Sequence, residues 1–115
     1  MATNARTNDG TEPSDLLDTL KIHKLQRRSV GGGAWVVGTI AGHRFEALVF
    51  PQPAENREWE VGGDSRISKL WLQRMGDDAT VYNWDRGADI EPTNKIAGVI
   101  VGLLAAGLAE TIFGN

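Results

Sequence analysis

The chain has 115 residues, about the size of one domain, and its 41% hydrophobic and 23% charged residues are typical of a globular protein. Its net charge of −3 disfavours a general nucleic-acid binder, because such proteins are strongly basic. The absence of cysteine excludes thiol catalysis, disulfides and thiolate metal sites. Since the N-terminus lacks the apolar stretch of a secretory signal, we expect a cytoplasmic protein.

The N-terminal segment is predicted to contribute little to the core. Residues 1–14 contain no aromatic or branched aliphatic residue and predict a disordered tail. Residues 15–33 predict a short helix followed by a linker of three consecutive glycines. The helix would cover residues 15–26, where leucines share one face and basic residues collect near the end, although Ile22 and Leu25 fit a strand equally well.

Residues 34–115 predict a single α+β domain with an antiparallel sheet of about four strands, a ββββα core. In the second predicted strand Phe45, Ala47 and Val49 alternate with less apolar neighbours, which is the period of a half-buried strand. The short Ala41-Gly42-His43 connection before it favours a hairpin. The four β-rich runs are residues 34–40, 44–50, 66–74 and 79–86.

The last element is predicted to be a long apolar helix over residues 96–113 that packs on the sheet. Its uncharged part spans residues 96–109, shorter than the roughly 18–20 residues that cross a bilayer, so we expect no membrane span. The helix is apolar nearly all round and contains Gly98-x-x-x-Gly102 with Ala105 nearby. Because small residues let helices approach closely, this helix is a candidate homodimer contact.

Three motifs in fixed order resemble a family of small phage- and bacterium-encoded proteins. They are G-x-I-x-G-x-x-F-x-A-x-V-F, S-R-I-S-K-L and Y-x-W-D-R-G-x-D-I-x-P. The similar region covers roughly residues 35–92. That family has no assigned activity, so the resemblance implies a fold and a phage or prophage setting rather than a reaction. The positions that carry the resemblance are Gly38, Ile40, Gly42, Phe45, Ala47, Val49 and Phe50, then residues 65–72 and 82–92.

Aromatic and basic side chains suggest an interaction surface. If the third and fourth strands pair, Trp71, Tyr82 and Trp84 could form one face that stacks bases, although burial between sheet and helix is the favoured interpretation. The basic side chains expected to contribute at its rim are Arg86, Lys24, Arg27 and Arg28.

No catalytic or metal-binding pattern stands out. The oxygen-bearing residues between Asn83 and Glu91 alternate, but Gly87 replaces a ligand of a calcium loop, so a charged turn is the better interpretation. His23 and His43 stand alone, without H-x-x-x-H spacing, and His43 is expected to be solvated. We therefore expect no cofactor and a non-enzymatic protein-interaction or assembly protein, whose partner could be a second copy of the chain in a homodimer. The alternative is a nucleic-acid-binding accessory protein that uses an aromatic sheet face.

Overall fold

The computed structural model describes residues 13–114, which form an α+β structure. Six strands form one antiparallel sheet in which neighbours in sequence are neighbours in space. The predicted α+β class, antiparallel sheet and C-terminal helix are confirmed, but the sheet has six strands rather than four. The elements are α1 (Pro13–Leu17), β1 (Lys21–Arg27), β2 (Ala34–Ile40), β3 (His43–Val49), β4 (Ile67–Arg74), β5 (Ala79–Asp85), β6 (Ala88–Ile90) and α2 (Lys95–Phe113).

The first strand replaces most of the predicted N-terminal helix. The helix expected over residues 15–26 is reduced to the five residues of α1, and β1 pairs antiparallel with β2 from Lys21 opposite Thr39 to Arg27 opposite Ala34. Residues 21–27 are therefore a strand of the sheet, which contains the Ile22 and Leu25 that fit a strand equally well. The predicted tail over residues 1–14 lies outside the described residues, except for Pro13 and Ser14 in α1.

Strand alternation gives the sheet a covered face and an open face. Val36 lies opposite Ala47, and Phe45 lies opposite Leu72, so these apolar side chains project toward α2. The covered face and α2 together form the core, and the large side chains that are almost completely buried in it include Val36, Ile40, Phe45, Val49, Ile67, Leu70, Leu72, Val81, Ile100, Leu104 and Leu108.

A bulge interrupts the side-chain alternation at the start of β4. The pairing shifts between Leu48 opposite Lys69 and Val49 opposite Ile67, which leaves Ser68 as the extra residue. Ile67 therefore lies on the covered face with Val49, whereas uninterrupted alternation would place it on the open face with Lys69.

Helix α2 packs on the covered face and shields it from solvent. It begins after Asn94, whose side-chain Oδ1 accepts the Ala97 N–H at 2.8 Å, and it ends before Gly114. The predicted bounds differ from the observed ones by one residue. By length and composition alone this helix could cross a membrane, with a mean hydropathy of 2.1. Its buried residues all belong to the core shared with the sheet, and they are Ala97, Ile100, Leu104, Leu108 and Ala109.

Candidate binding cleft and outer helix face

The three aromatic residues predicted to share one face lie on opposite faces of the sheet. Trp71 lies opposite Asn83 on the open face, and its Nε1 donates to Thr80 Oγ1 at 3.2 Å. Tyr82 and Trp84 face α2, and Tyr82 is buried. The predicted common face is therefore wrong, because Trp71 is out of phase with the other two rings across the β4–β5 pair.

A broad cleft lies at one end of the open face, with a volume of about 840 Å³. Its floor includes Trp35 of β2 and Leu48 of β3. Its walls come from the glycine loop over residues 31–33, the loop that follows β3, and the turn that follows β5. The lining residues used below are Arg28, Trp35, Phe50, Trp59, Lys69 and Arg86.

Two arginines at the cleft stack on aromatic rings. The Arg28 guanidinium lies 5.8 Å from the centre of the Phe50 ring, and the Arg86 guanidinium lies 5.2 Å from that of Trp59. Neither arginine forms an ion pair with a carboxylate among residues 13–114. Stacking holds a guanidinium by its face and leaves N–H groups at its edge available to an anion. In Arg28 the Nε–H donates to the Val30 carbonyl at 3.3 Å, so its terminal N–H groups are the ones that could reach a ligand.

The other two cations of the cleft already have partners within the chain. Lys69 Nζ lies 3.7 Å from Asp85 Oδ1, and both side chains are substantially exposed. Arg66 donates to the Pro51 carbonyl at 2.7 Å and lies 3.9 Å from a carboxylate oxygen of Glu110. These contacts anchor the cleft walls to β5 and α2.

A buried carboxylate organises the loop between β3 and β4. Glu60 is almost completely buried, and its carboxylate accepts backbone N–H groups of Ala54 and Arg66, the latter at 3.1 Å. It therefore joins two loop positions that lie on either side of it in sequence. Trp84 adds a further link, because its Nε1 donates to the Trp59 carbonyl at 2.8 Å. These bonds place the Trp59 ring beside Arg86.

The glycine loop closes against Phe50, and one position in it requires glycine. A Cβ on Gly33 would lie 2.9 Å from two atoms of the Phe50 ring and from the Val49 carbonyl oxygen. Its φ of +80° is also one that residues with a side chain rarely adopt. The triple glycine is thus part of a hairpin that forms one cleft wall, rather than a linker to a separate segment.

The predicted basic residues are divided among three places. Lys24 is exposed on the edge strand β1, whereas the Arg27 guanidinium lies 5.1 Å from the centre of the Phe113 ring, at the end of α2. Only Arg28 and Arg86 reach the cleft. Asp85, the residue before Arg86, pairs with Lys69.

The outer face of α2 carries the predicted small residues. We use this name for five exposed positions, Lys95, Gly98, Gly102, Ala106 and Glu110, which lie on one side of the helix. The predicted Gly98 and Gly102 belong to it, whereas Ala105 is half-buried at its border. A Cβ on Gly102 would meet no atom within 4 Å.

The histidines do not form a reactive group with neighbouring carboxylates in the part of the chain that is described. His23 Nε2 lies 2.9 Å from Thr39 Oγ1, and His43 Nδ1 lies 2.8 Å from the Ala41 carbonyl oxygen. His43 is buried at the start of β3, so the expectation that it is solvated is wrong. Residues 13–114 contain no cluster of three potential metal ligands of the His, Asp or Glu type.

Two side chains have markedly shifted pKa values. A hydrogen bond from Arg74 lowers the pKa of Asp77 to about 2, with help from the Ala79 N–H. Burial raises the pKa of Tyr82 to about 12, and the charge of Glu91 adds to this effect. Asp77 belongs to the β4–β5 turn and Tyr82 to the core, so neither contributes to the cleft.

Sequence reasoning missed Trp35, Phe50 and Trp59 as members of a common site. Trp35 and Phe50 are brought together by the β2–β3 pairing, but Trp59 arrives through a loop whose path depends on Glu60. One feature of the sequence could have indicated the cleft. The glycine run comes directly before β2 and the proline-containing loop comes directly after β3, so the β2–β3 pairing brings the two loops to the same end of the sheet.

Comparison with known proteins gives a family but no activity. Residues 34–109 match a family described as "Domain of unknown function (DUF7678)". No curated protein and no solved structure matches the chain. The matched region includes β2 to β6 and most of α2, together with all the cleft residues used above except Arg28. Strand β1 and the glycine loop precede it.

Proposed function

The chain belongs to the DUF7678 family of domains of unknown function, and we propose that it is a non-enzymatic protein-interaction and assembly protein that forms a homodimer through the outer face of α2. The resemblance to small phage- and bacterium-encoded proteins adds a phage or prophage setting to this proposal. The observation that carries it is the exposed face of a strongly apolar helix, bounded by opposite charges at its two ends.

The outer face offers an apolar surface that a partner would cover. Between Lys95 and Glu110 the helix has no charged residue, yet Gly98, Gly102 and Ala106 are exposed. Val99 lies on the same side of the helix and is half-buried. Because Gly98, Gly102 and Ala106 are small, a second helix could approach closely and gain many van der Waals contacts.

The charges at the ends of the outer face make it self-complementary. Lys95 and Glu110 lie about 22 Å apart along the helix axis, and Gly102 lies near the midpoint. If two copies cross antiparallel at Gly102, a twofold axis brings Lys95 of each copy toward Glu110 of the other. This symmetry favours a second copy of the chain over an unrelated partner. The contact of Glu110 with Arg66 is long, at 3.9 Å, and leaves most of the carboxylate exposed.

The mass of the intact chain in solution, measured by light scattering across a range of concentrations, tests the proposal. We expect a dimer. Lys95→Glu and Glu110→Lys should each weaken it about tenfold, because each reversal creates two like-charge pairs at the interface. The double reversal should restore the dimer, since the opposite charges face each other again.

A second pair of variants separates dimerisation from folding. Gly102→Leu should abolish the dimer by blocking close approach, while improved helix propensity keeps the monomer stable. Gly107→Ala is the matched control, because it also replaces a helical glycine but lies off the outer face. A monomer at every concentration would overturn the proposal. A dimer that tolerates Gly102→Leu and both charge reversals would overturn the assignment to α2.

A further inference from the structure

We infer that the cleft on the open face is a binding site for a nucleotide unit, either free or within single-stranded nucleic acid. This site is separate from the outer face of α2 and does not depend on dimerisation. Three features support it. Two stacked arginines have no carboxylate partner among the described residues, a tryptophan is exposed, and the strands of the cleft floor have no free edge with which a peptide could pair.

The charges of the cleft match a phosphate-bearing ligand. Four cationic side chains line it, against the carboxylates of Glu55 and Glu60. Glu60 is buried and accepts backbone N–H groups within its own loop, which leaves Glu55 as the exposed carboxylate of the cleft. The positive groups therefore dominate the surface that a ligand would meet, even though the whole chain is acidic.

The two stacked arginines reach the cleft from different strands. Arg28 follows β1, and its guanidinium lies over the Phe50 ring. Arg86 follows β5, and its guanidinium lies over the Trp59 ring. Because Phe50 and Trp59 hold the faces of the two guanidinium groups, their edges are oriented before any ligand arrives. A planar guanidinium edge matches two phosphate oxygens, so both arginines suit a ligand that carries phosphate.

An aromatic surface for a base lies on the floor of the same cleft. Trp35 is on the cleft floor with 37% of its surface exposed, which is high for a ring of this size within a paired strand. Bases of any sequence stack on such rings. Trp59 has the same exposed fraction, but Arg86 occupies one of its faces. We therefore assign the base to Trp35 and the phosphates to the two arginines.

An acidic peptide fits the cleft less well. One common way to bind an extended peptide is to pair it with a free strand edge, where main-chain hydrogen bonds supply the affinity. The strands of the cleft floor, β2, β3 and β4, are each paired on both sides. Pro51 and Pro53 in the cleft wall have no N–H to donate. A nucleotide needs no strand edge, since stacking and phosphate contacts supply its binding energy.

The test measures binding of the intact chain to four probes: a single-stranded thymidine oligomer, adenosine monophosphate, inorganic phosphate and an oligo-glutamate peptide. Anisotropy of the labelled oligomers and quenching of tryptophan fluorescence report the affinities. We expect the oligomer or the mononucleotide to bind more tightly than inorganic phosphate or the peptide, and binding of the oligomer to weaken as salt rises. Tight binding of the mononucleotide would identify a free nucleotide as the ligand of the cleft. Binding of the oligomer alone would identify single-stranded nucleic acid as the ligand.

Variants locate the binding in the cleft. Arg28→Gln, Arg86→Gln and Trp35→Ala should each weaken binding about tenfold. Trp35→Phe should retain most of it, because a ring remains. Arg44→Gln is the matched control, since Arg44 is an exposed arginine on the open face outside the cleft. Equal binding of oligo-glutamate, no binding of either nucleotide probe, or binding that is insensitive to all three cleft variants would overturn the inference.

Discussion

The two faces of the sheet use the same strands in opposite ways. On the covered face, Val36, Phe45 and Leu70 are almost completely buried beneath α2. On the open face, the neighbouring residues Trp35 and Lys69 are partly exposed and line a cleft. Since strand alternation sends adjacent residues to opposite faces, one stretch of sequence specifies both the core and the candidate binding surface.

The difference shows where substitutions are expected to affect folding and where they are expected to affect binding. Covered-face side chains meet close-packed neighbours, so a change in their volume alters the free energy of unfolding. Open-face side chains meet solvent, so a change there mainly alters what the surface can bind. The exceptions are residues such as Leu48, which is buried although it lies on the open face.

A matched pair of valines on β2 gives the largest expected difference. Val36→Ala should lower the free energy of unfolding by about 2–3 kcal/mol, because it removes two buried methyl groups and leaves a cavity. Val37→Ala, on the open face, should cost about 0.5 kcal/mol. Urea unfolding of both variants measures the contrast, and the shared loss of β-branching cancels between them. Equal costs would contradict the assignment of the two faces.

A pair of glycine-to-alanine substitutions should change the free energy of unfolding in opposite directions, and by less than Val36→Ala does. A Cβ on Gly38 would overlap the Lys21 carbonyl oxygen and lie 2.7 Å from the Phe45 ring, so Gly38→Ala should destabilise the fold by about 1–2 kcal/mol. Gly102→Ala adds a Cβ in open space on a helix and should stabilise it by up to about 1 kcal/mol. Thermal unfolding of both variants tests the pair, with Gly102→Ala followed below the dimer concentration. Stabilisation by Gly38→Ala would show that β1 does not pack against β2 as described.

The elements with clear periodicity could be predicted from the sequence. The alternation around Phe45 and the length and apolar content of α2 identify parts of the core, and both agree with the structure. Strand β1 could be identified only as an alternative, for Ile22 and Leu25, because all seven of its residues are exposed and no alternation marks it. Its strand conformation comes from hydrogen bonds to β2, which are long-range contacts. Strand β6 is short and fully exposed, so it too lacks a pattern that would mark it.

The cleft could be predicted only in fragments. The glycine run and the arginines are visible in the sequence, but their meeting depends on the loop held by Glu60. A buried carboxylate bonded to two backbone N–H groups leaves no sequence pattern that differs from an exposed glutamate. The bulge at Ser68 likewise changes which residues share a face, and one extra residue in a strand cannot be recognised from alternation alone.

The smallest expected effect is on the pH dependence of stability, which tests the burial of Tyr82 on the covered face. Burial raises the pKa of Tyr82 from 10.0 to about 12, so the folded state disfavours the tyrosinate relative to the unfolded state. Its contribution to stability is therefore complete below pH 10 and is lost as the pH rises toward 12. Tyr82→Phe should remove this part of the loss of stability at alkaline pH. The measurement is the free energy of unfolding of the native chain and of the variant as a function of pH. Because Tyr82 is the single tyrosine of the chain, the ultraviolet absorbance of tyrosinate reports its pKa directly. An absorbance midpoint at the ordinary value in the folded protein would place the ring in solvent and contradict the packing of β5 against α2.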